Sequence, residues 1–202
     1  MVEMSQQQNK KGWIVIISGP SGVGKSTICR EVVERMKNVH LSVSLTTRPP
    51  SKGEVDGKDY RFVSRDKFEE LVRRDEILEH AEVFGNLYGT PRDRVEEVLQ
   101  AGETIILEID VQGARQAKSE YPEAVMIFIL PPTHRVLGER ISKRGREGAE
   151  AAEERLEGAE VEIAGGWQYF ENMVINDDLE QAVGEVMQII RQNTGEQYDR
   201  GA

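Results

Sequence analysis

The sequence predicts an α/β protein built on a parallel sheet covered by helices, with a strand-rich lobe inserted into it. Three observations carry this prediction. Apolar runs without polar alternation recur at 14–17, 104–110, 125–130 and 173–176, and helical stretches separate them, which is the pattern of a sheet buried on both faces. The first run passes through a glycine-rich turn straight into a helix-forming segment. Between about 42 and 90 the strands are short and alternating instead, so this part reads as an inserted lobe. The core is then 12–41 together with 91–194, and the polar ends 1–11 and 195–202 read as loose arms.

Taken in order, Ile14-Val15-Ile16-Ile17 is a short β-branched strand, and a helix over about 25–37 follows the turn. Residues 41–47 alternate polar and apolar and predict a half-exposed strand. Arg48-Pro49-Pro50-Ser51-Lys52-Gly53 breaks it with a shaped loop carrying two cations. Residues 58–63 predict another strand, after which Ser64 can cap a helix with an apolar face of Phe68, Leu71 and Val72. Two short strands over 77–88 flank a Gly85-Asn86 turn. Thr90 and Pro91 predict a helix start, with Thr as N-cap and Pro in the first turn, and Gly102 is placed to end that helix. From Thr133 a helix carries Arg135, Arg140, Lys143 and Arg144, Gly145 to Gly148 interrupts it, and a Glu- and Ala-rich helix with Arg155 spans about 149–164. Residues 179–191 form a last amphipathic helix.

The turn after the first strand carries the most specific chemistry. Gly19-Pro20-Ser21-Gly22-Val23-Gly24-Lys25-Ser26-Thr27 contains Gly-x-x-x-x-Gly-Lys-Ser between a strand and a helix. A phosphate needs donors close on several sides, and glycines let successive backbone N–H groups face inward where a Cβ would block the approach. The helix N-terminus favours an anion, Lys25 supplies an ammonium for the β- and γ-phosphates, and the Ser26 hydroxyl is the usual ligand of the accompanying Mg²⁺.

Composition bounds the rest. The 202 residues, 38% hydrophobic and 31% charged, fit one core with inserted lobes. A net charge of −10 argues against nucleic-acid and anionic-membrane partners, and it requires a polyphosphate-binding protein to concentrate its cations locally. Arg140 and Arg144, one helical turn apart, meet that requirement, although arginines on an exposed helix are in general a solvated face. Cys29, the only cysteine, excludes an intrachain disulfide and a cysteine-based zinc site, and reads as a buried structural thiol. His40, His80 and His134 lack metal-ligand spacing. Neither a membrane span nor a signal-peptide core is present in the sequence, so a cytoplasmic location is expected.

Joined to the glycine-rich loop, the motifs Ser42-Val43-Ser44-x-Thr46-Thr47-Arg48, Glu79-His80-Ala81, Gly85-Asn86-x-Tyr88-Gly89-Thr90, Ile109-Asp110-x-Gln112-Gly113-Ala114 and Arg144-Gly145 closely resemble those of guanylate kinases, in the same order from about 13 to 190. The resemblance implies an ATP:GMP phosphotransferase using Mg²⁺, with GMP and ATP as its small-molecule partners, a GMP-binding lobe near 42–90 and a mobile helical lid near 140–160. It assigns Glu79 to the guanine N1–H and 2-amino donors, and Ser44 and Thr90 to hydroxyl positions near the base. Arg48, Tyr60 and Tyr88 match residues that hold the GMP phosphate. Asp110 matches a carboxylate near GMP and near the metal, reached through water, while Glu108 stands where many relatives have Asp. Arg140, Arg144 and Arg155 match lid arginines that reach the phosphates, and Asn176 matches a position near adenine. One departure stands out: Ser51 occupies a position where the family pattern has a second phosphate-binding arginine. The competing class is a guanylate-kinase-like module that binds a protein ligand without catalysis, and against it stands the intact Gly24-Lys25-Ser26.

Overall fold

The computed structural model describes residues 11–83, 85–143 and 149–195, with side chains at 143, 149–155 and 157 left aside. Its core is a five-stranded parallel sheet in the order β2-β7-β1-β8-β9, formed by Val39–Leu41 (β2), Thr104–Glu108 (β7), Trp13–Ser18 (β1), Val125–Leu130 (β8) and Asn172–Ile175 (β9). Successive side chains of a strand point to opposite faces, and β1 uses both. Val15 and Ile17 pack under Lys25–Arg35 (α1) and Leu179–Thr194 (α7), while Ile14 and Ile16 join the side chains of Arg92–Gln100 (α3) and Val111–Glu120 (α4). All four of these β1 residues are buried, which explains why the strand shows no alternation in sequence.

A second, four-stranded sheet has the order β4-β3-β6-β5, from Arg61–Phe62 (β4), Leu45–Thr46 (β3), Asn86–Pro91 (β6) and Ile77–Val83 (β5). Its small core centres on Phe68 of Arg65–Arg73 (α2), with Leu45 and Ile77. Ser64 caps α2 as expected, its hydroxyl accepting from the Lys67 N–H. His134–Lys143 (α5) and Ala149–Tyr169 (α6) complete the element order. Cys29 is buried, and burial pushes its thiol well above the ordinary range, as befits an inert packing residue.

Several local expectations are corrected. The single strand expected over 41–47 is two: Val39–Leu41 pairs with β7 in the core sheet, and after a three-residue gap Leu45–Thr46 pairs with β6 in the other sheet. Periodicity cannot reveal such a division, because both pieces are extended and only their pairing partners differ. The strand expected over 58–63 shrinks to Arg61–Phe62, since Asp56 ties up the Phe62 N–H and Gly57 turns the chain. The helix at Thr90 begins later, at Arg92, and Thr90 stays in β6. The helix expected over about 149–164 continues to Tyr169 through Gly165 and Gly166, where a Cβ at Gly166 would press into the Phe128 ring and one at Gly165 against Val111. Close packing there outweighs the low helix propensity of glycine.

Candidate active site

In an open parallel sheet, ligands gather beyond the carboxyl ends of the strands. The loop after β1 lies there, and Gly19, Gly22 and Gly24 all adopt positive φ (147°, 83° and 105°), a conformation glycine takes without a steric penalty. Gly24 caps α1 and Lys25 begins it. The Lys25 ammonium donates to the carbonyl of Gly19 and, at 3.2 Å, to that of Pro20. Because β7 runs beside β1 with Ile17 opposite Glu108, the end of β7 meets the start of α1. There the Ser26 hydroxyl donates to the Glu108 carboxylate at 2.6 Å. Buried Asn176, just past β9, donates to the Val23 carbonyl at 2.7 Å. Arg140 of α5 reaches the same carbonyl at 3.3 Å and that of Asn176 at 3.0 Å. Arg144 lies outside the described residues, as does the side chain of Arg155.

The smaller sheet presents a different cluster. Glu79 is only 3% exposed, and its Oε1 accepts the Thr90 hydroxyl at 2.7 Å, so the oxygen expected to cap a helix serves a buried carboxylate instead. Burial is the main cause that pushes the Glu79 carboxyl up to about 7, with Thr90 opposing it and Asp110 adding to it. Asp110 caps α4 by accepting the Gly113 N–H at 2.8 Å. Gly113 itself has a role that sequence reasoning missed: a Cβ there would overlap the second Glu79 oxygen. The signal was available in the Asp-x-Gln-Gly motif, but its meaning depends on a strand 34 positions earlier in the chain. Gly113→Ala favours the helix by ~1 kcal/mol on propensity alone. On the resemblance drawn from the sequence, we expect it nonetheless to raise the KM for GMP ~10-fold by displacing Glu79, with Tm nearly unchanged, as steady-state kinetics and calorimetric melting will read.

Around the loop after β3, the Arg48 guanidinium makes two 2.8 Å bonds to Glu54, and reaches Ser51 Oγ at 3.1 Å and the Pro49 carbonyl at 2.9 Å. Glu54 is held below the usual carboxylate range, chiefly by Arg48, and also accepts the Ser51 N–H at 2.6 Å. The guanidinium stands 5.1 Å over the Tyr60 ring, which meets Tyr88 edge-on at 6.0 Å. Burial, with help from Glu108, raises the Tyr60 phenol to about 12, keeping it a donor. Ser44 contributes its carbonyl to the Arg61 N–H. Glu54 is a second residue absent from the sequence reading.

A family model described as guanylate kinase matches residues 11–193. The chain belongs to the guanylate kinase family. It is 47% identical over 180 residues to a guanylate kinase of Carboxydothermus hydrogenoformans, covering 89% of this chain and 88% of the relative. A guanylate kinase of Gloeobacter violaceus is 50% identical over 177 residues, covering 88% and 86%. The crystal structure of guanylate kinase from Anaplasma phagocytophilum superposes with a TM-score of 0.78 at 37% identity, covering 92% of this chain and 88% of that one. The expectations of an α/β fold and of guanylate kinase membership are thus met. Among the described residues no helix is long and apolar enough to cross a membrane.

Proposed function

We propose that this guanylate kinase transfers the γ-phosphate of ATP to GMP, and to dGMP, giving ADP and GDP or dGDP. The observation that carries this reading is the Glu79 carboxylate, buried in the smaller sheet with Thr90 on one oxygen and Gly113 leaving room at the other. Guanine offers adjacent N1–H and 2-amino donors to such an acceptor pair. Adenine presents a lone pair at N1, and a site built on hydrogen bonds rejects a misfit by ~10⁴ because its own polar groups are left unpaired. Residues 42–90 form the GMP lobe in this reading, with Ser44 beside the base, while 12–41 and 91–194 form the ATP side, with Asn176 near adenine.

The attacking GMP phosphate oxygen is already ionised, so no general base is needed; the work is placing two polyanions in line and spreading the charge that moves. Backbone N–H groups of the loop from Gly19 to Thr27 cradle the ATP phosphates, and Lys25 leaves its loop carbonyls to meet the β- and γ-phosphates. Arg48, Tyr60 and Tyr88 hold the GMP phosphate, and Asp110 sits between the two sides. Arg140, with Arg144 and Arg155 on the lid, adds positive charge as water is excluded. The paired Ser26 hydroxyl and Glu108 carboxylate are hard oxygen donors suited to Mg²⁺, which keeps several waters and shares phosphate oxygens. Bound there, the ion would neutralise phosphate charge in the transition state. Asp110 would act on it through water.

A coupled assay of ADP formation with GMP, dGMP, AMP and UMP tests the reading. Turnover confined to GMP and dGMP is expected; equal use of AMP or UMP would refute the guanine assignment, and no turnover with any of them would favour a protein-binding module.

Arg48 shares its fork with Glu54, and Ser51 adds no charge, so the GMP phosphate meets a site poor in positive charge. Ser51→Arg should engage Glu54, release part of the Arg48 fork and lower the GMP KM several-fold, about 1 kcal/mol for a partly exposed charge-assisted bond. An unchanged KM, together with a strong rise on Lys52→Ala, would show that the neighbouring exposed lysine already supplies the second cation.

A further inference from the structure

β5 is an edge strand of the smaller sheet, so alternate residues turn a backbone N–H and C=O away from β6 with no strand to receive them. At His80 a single side chain takes both. Gln116 Nε2 donates to the His80 carbonyl at 2.7 Å, and Gln116 Oε1 accepts the His80 N–H at 3.3 Å. A primary amide offers the same donor and acceptor as a peptide group, so Gln116 fills the place of one missing strand residue. Nε2 also donates to the Gln112 carbonyl, one helical turn back, at 3.4 Å, which ties the amide to α4. The gripped peptide is the one that leaves Glu79, since the His80 nitrogen is bonded to the Glu79 carbonyl carbon. Gly113 lies three positions before Gln116, on the same side of α4, and a Cβ there would overlap Glu79 Oε2. One helix of the core thus borders the Glu79 carboxylate with Gly113 and holds the Glu79 backbone with Gln116. Both Gln116 and His80 are exposed, so water can satisfy the His80 groups, and what the amide adds is position.

We propose that Gln116 is a positioning residue for base recognition: its amide fixes the Glu79–His80 peptide against α4 and thereby sets where the Glu79 carboxylate stands. That carboxylate has two oxygens to place. Oε1 takes the Thr90 hydroxyl at 2.7 Å and Oε2 lies in the space that Gly113 leaves open, so a shift of the β5 backbone carries both oxygens away from the guanine donors together. Hydrogen bonds weaken steeply as they bend, and a parallel pair to N1–H and the 2-amino group tolerates less misplacement than one bond alone. Gln116 itself touches no substrate in this arrangement. The inference rests on assigning the guanine base to Glu79.

The test reads the ratio of kcat/KM for GMP to that for IMP, whose base keeps N1–H but lacks the 2-amino group, on the full chain with ATP. Gln116→Leu removes both bonds and suits a helix, while Gln116→Glu, assayed at about pH 8, keeps the acceptor and loses the donor. Because Gln116 is exposed, neither change opens a cavity. Each should lower the ratio about three- to fivefold, the scale of two partly exposed hydrogen bonds, with the KM for ATP within about twofold. A general weakening of the fold would instead raise KM for GMP and IMP alike and leave the ratio where it was. In a Glu79→Gln background, Gln116→Leu should change the ratio by less than about twofold, because a residue that acts through Glu79 has nothing left to position. An unchanged ratio in both single variants, or an undiminished loss in the Glu79→Gln background, overturns the role of Gln116. A parent that does not favour GMP over IMP, or a Glu79→Gln variant that favours it as strongly as the parent, overturns the Glu79 assignment, and the proposal with it.

Discussion

Lys25→Ala is expected to lower kcat by ~10² or more while leaving the calorimetric affinity for GMP within about twofold. The first half follows from what a preorganised charge is worth at a migrating phosphoryl group, about 3 kcal/mol or more in a water-poor site. In the unliganded protein the ammonium is satisfied by the carbonyls of Gly19 and Pro20, so it is stored on the loop it serves. Gly19 and Pro20 are themselves buried, so their carbonyls lose a donor that water does not readily replace, and a fall in Tm is expected as well. The second half follows from the two-sheet architecture: Lys25 starts α1 in the core, whereas Glu79 and Arg48 belong to the smaller sheet and its loop. GMP binding that vanished together with turnover would show that the two sides do not bind independently.

Glu79→Gln should cut kcat/KM for GMP by ~10² and, at the same time, stabilise the unliganded protein. An amide offers one acceptor where the carboxylate offered two, and its NH₂ would face a guanine donor; two spoiled hydrogen bonds in a buried site amount to about 3 kcal/mol. A fall of less than about fivefold would mean that another group reads the base. Stability moves the other way because the carboxyl is held at about 7 in the folded chain, above its usual 4.5. The folded protein therefore binds this proton more tightly than the unfolded chain does. The resulting stabilisation is fully present below about 4.5 and is lost as pH rises through about 7, a swing of about 3 kcal/mol. Relative to the parent, the neutral variant should thus gain little at pH 5 and several degrees of Tm at pH 8. A Tm difference independent of pH would contradict the burial argument. The same proton bears on substrate: in the proposed reading GMP would require the ionised form, so parent affinity should decline as pH falls below about 7. Subtracting the profile of the variant removes the titration of the GMP phosphate itself.

The coexistence of these two effects in one side chain is characteristic of a binding residue. A buried carboxylate with one hydroxyl partner is a poor element of stability, and it is tolerated where a ligand supplies the missing donors. Arg48 shows the converse arrangement. Its charge is already met by Glu54 and its ring contacts, so in the proposed reading the GMP phosphate would compete for the guanidinium.

The sequence by itself determined the sheet class, the glycine-rich loop between strand and helix, and the family. Each of these is written in a short window: β-branched runs make buried strands, glycines at fixed spacing bend one loop, and a helix cap needs only its neighbours. Only the tertiary structure decided which polar groups found which partners. Val39–Leu41 and Leu45–Thr46 look like one strand until each pairs in a different sheet. The Thr90 hydroxyl suits a helix cap equally well, but the buried oxygen of Glu79, 11 positions away, claims it. Gly113 makes room for a side chain brought from β5, and Glu54 occupies the Arg48 fork. Backbone conformation follows from local sterics, whereas the cost of leaving a polar atom buried and unpaired can be met only by atoms that folding brings near, whatever their distance along the chain.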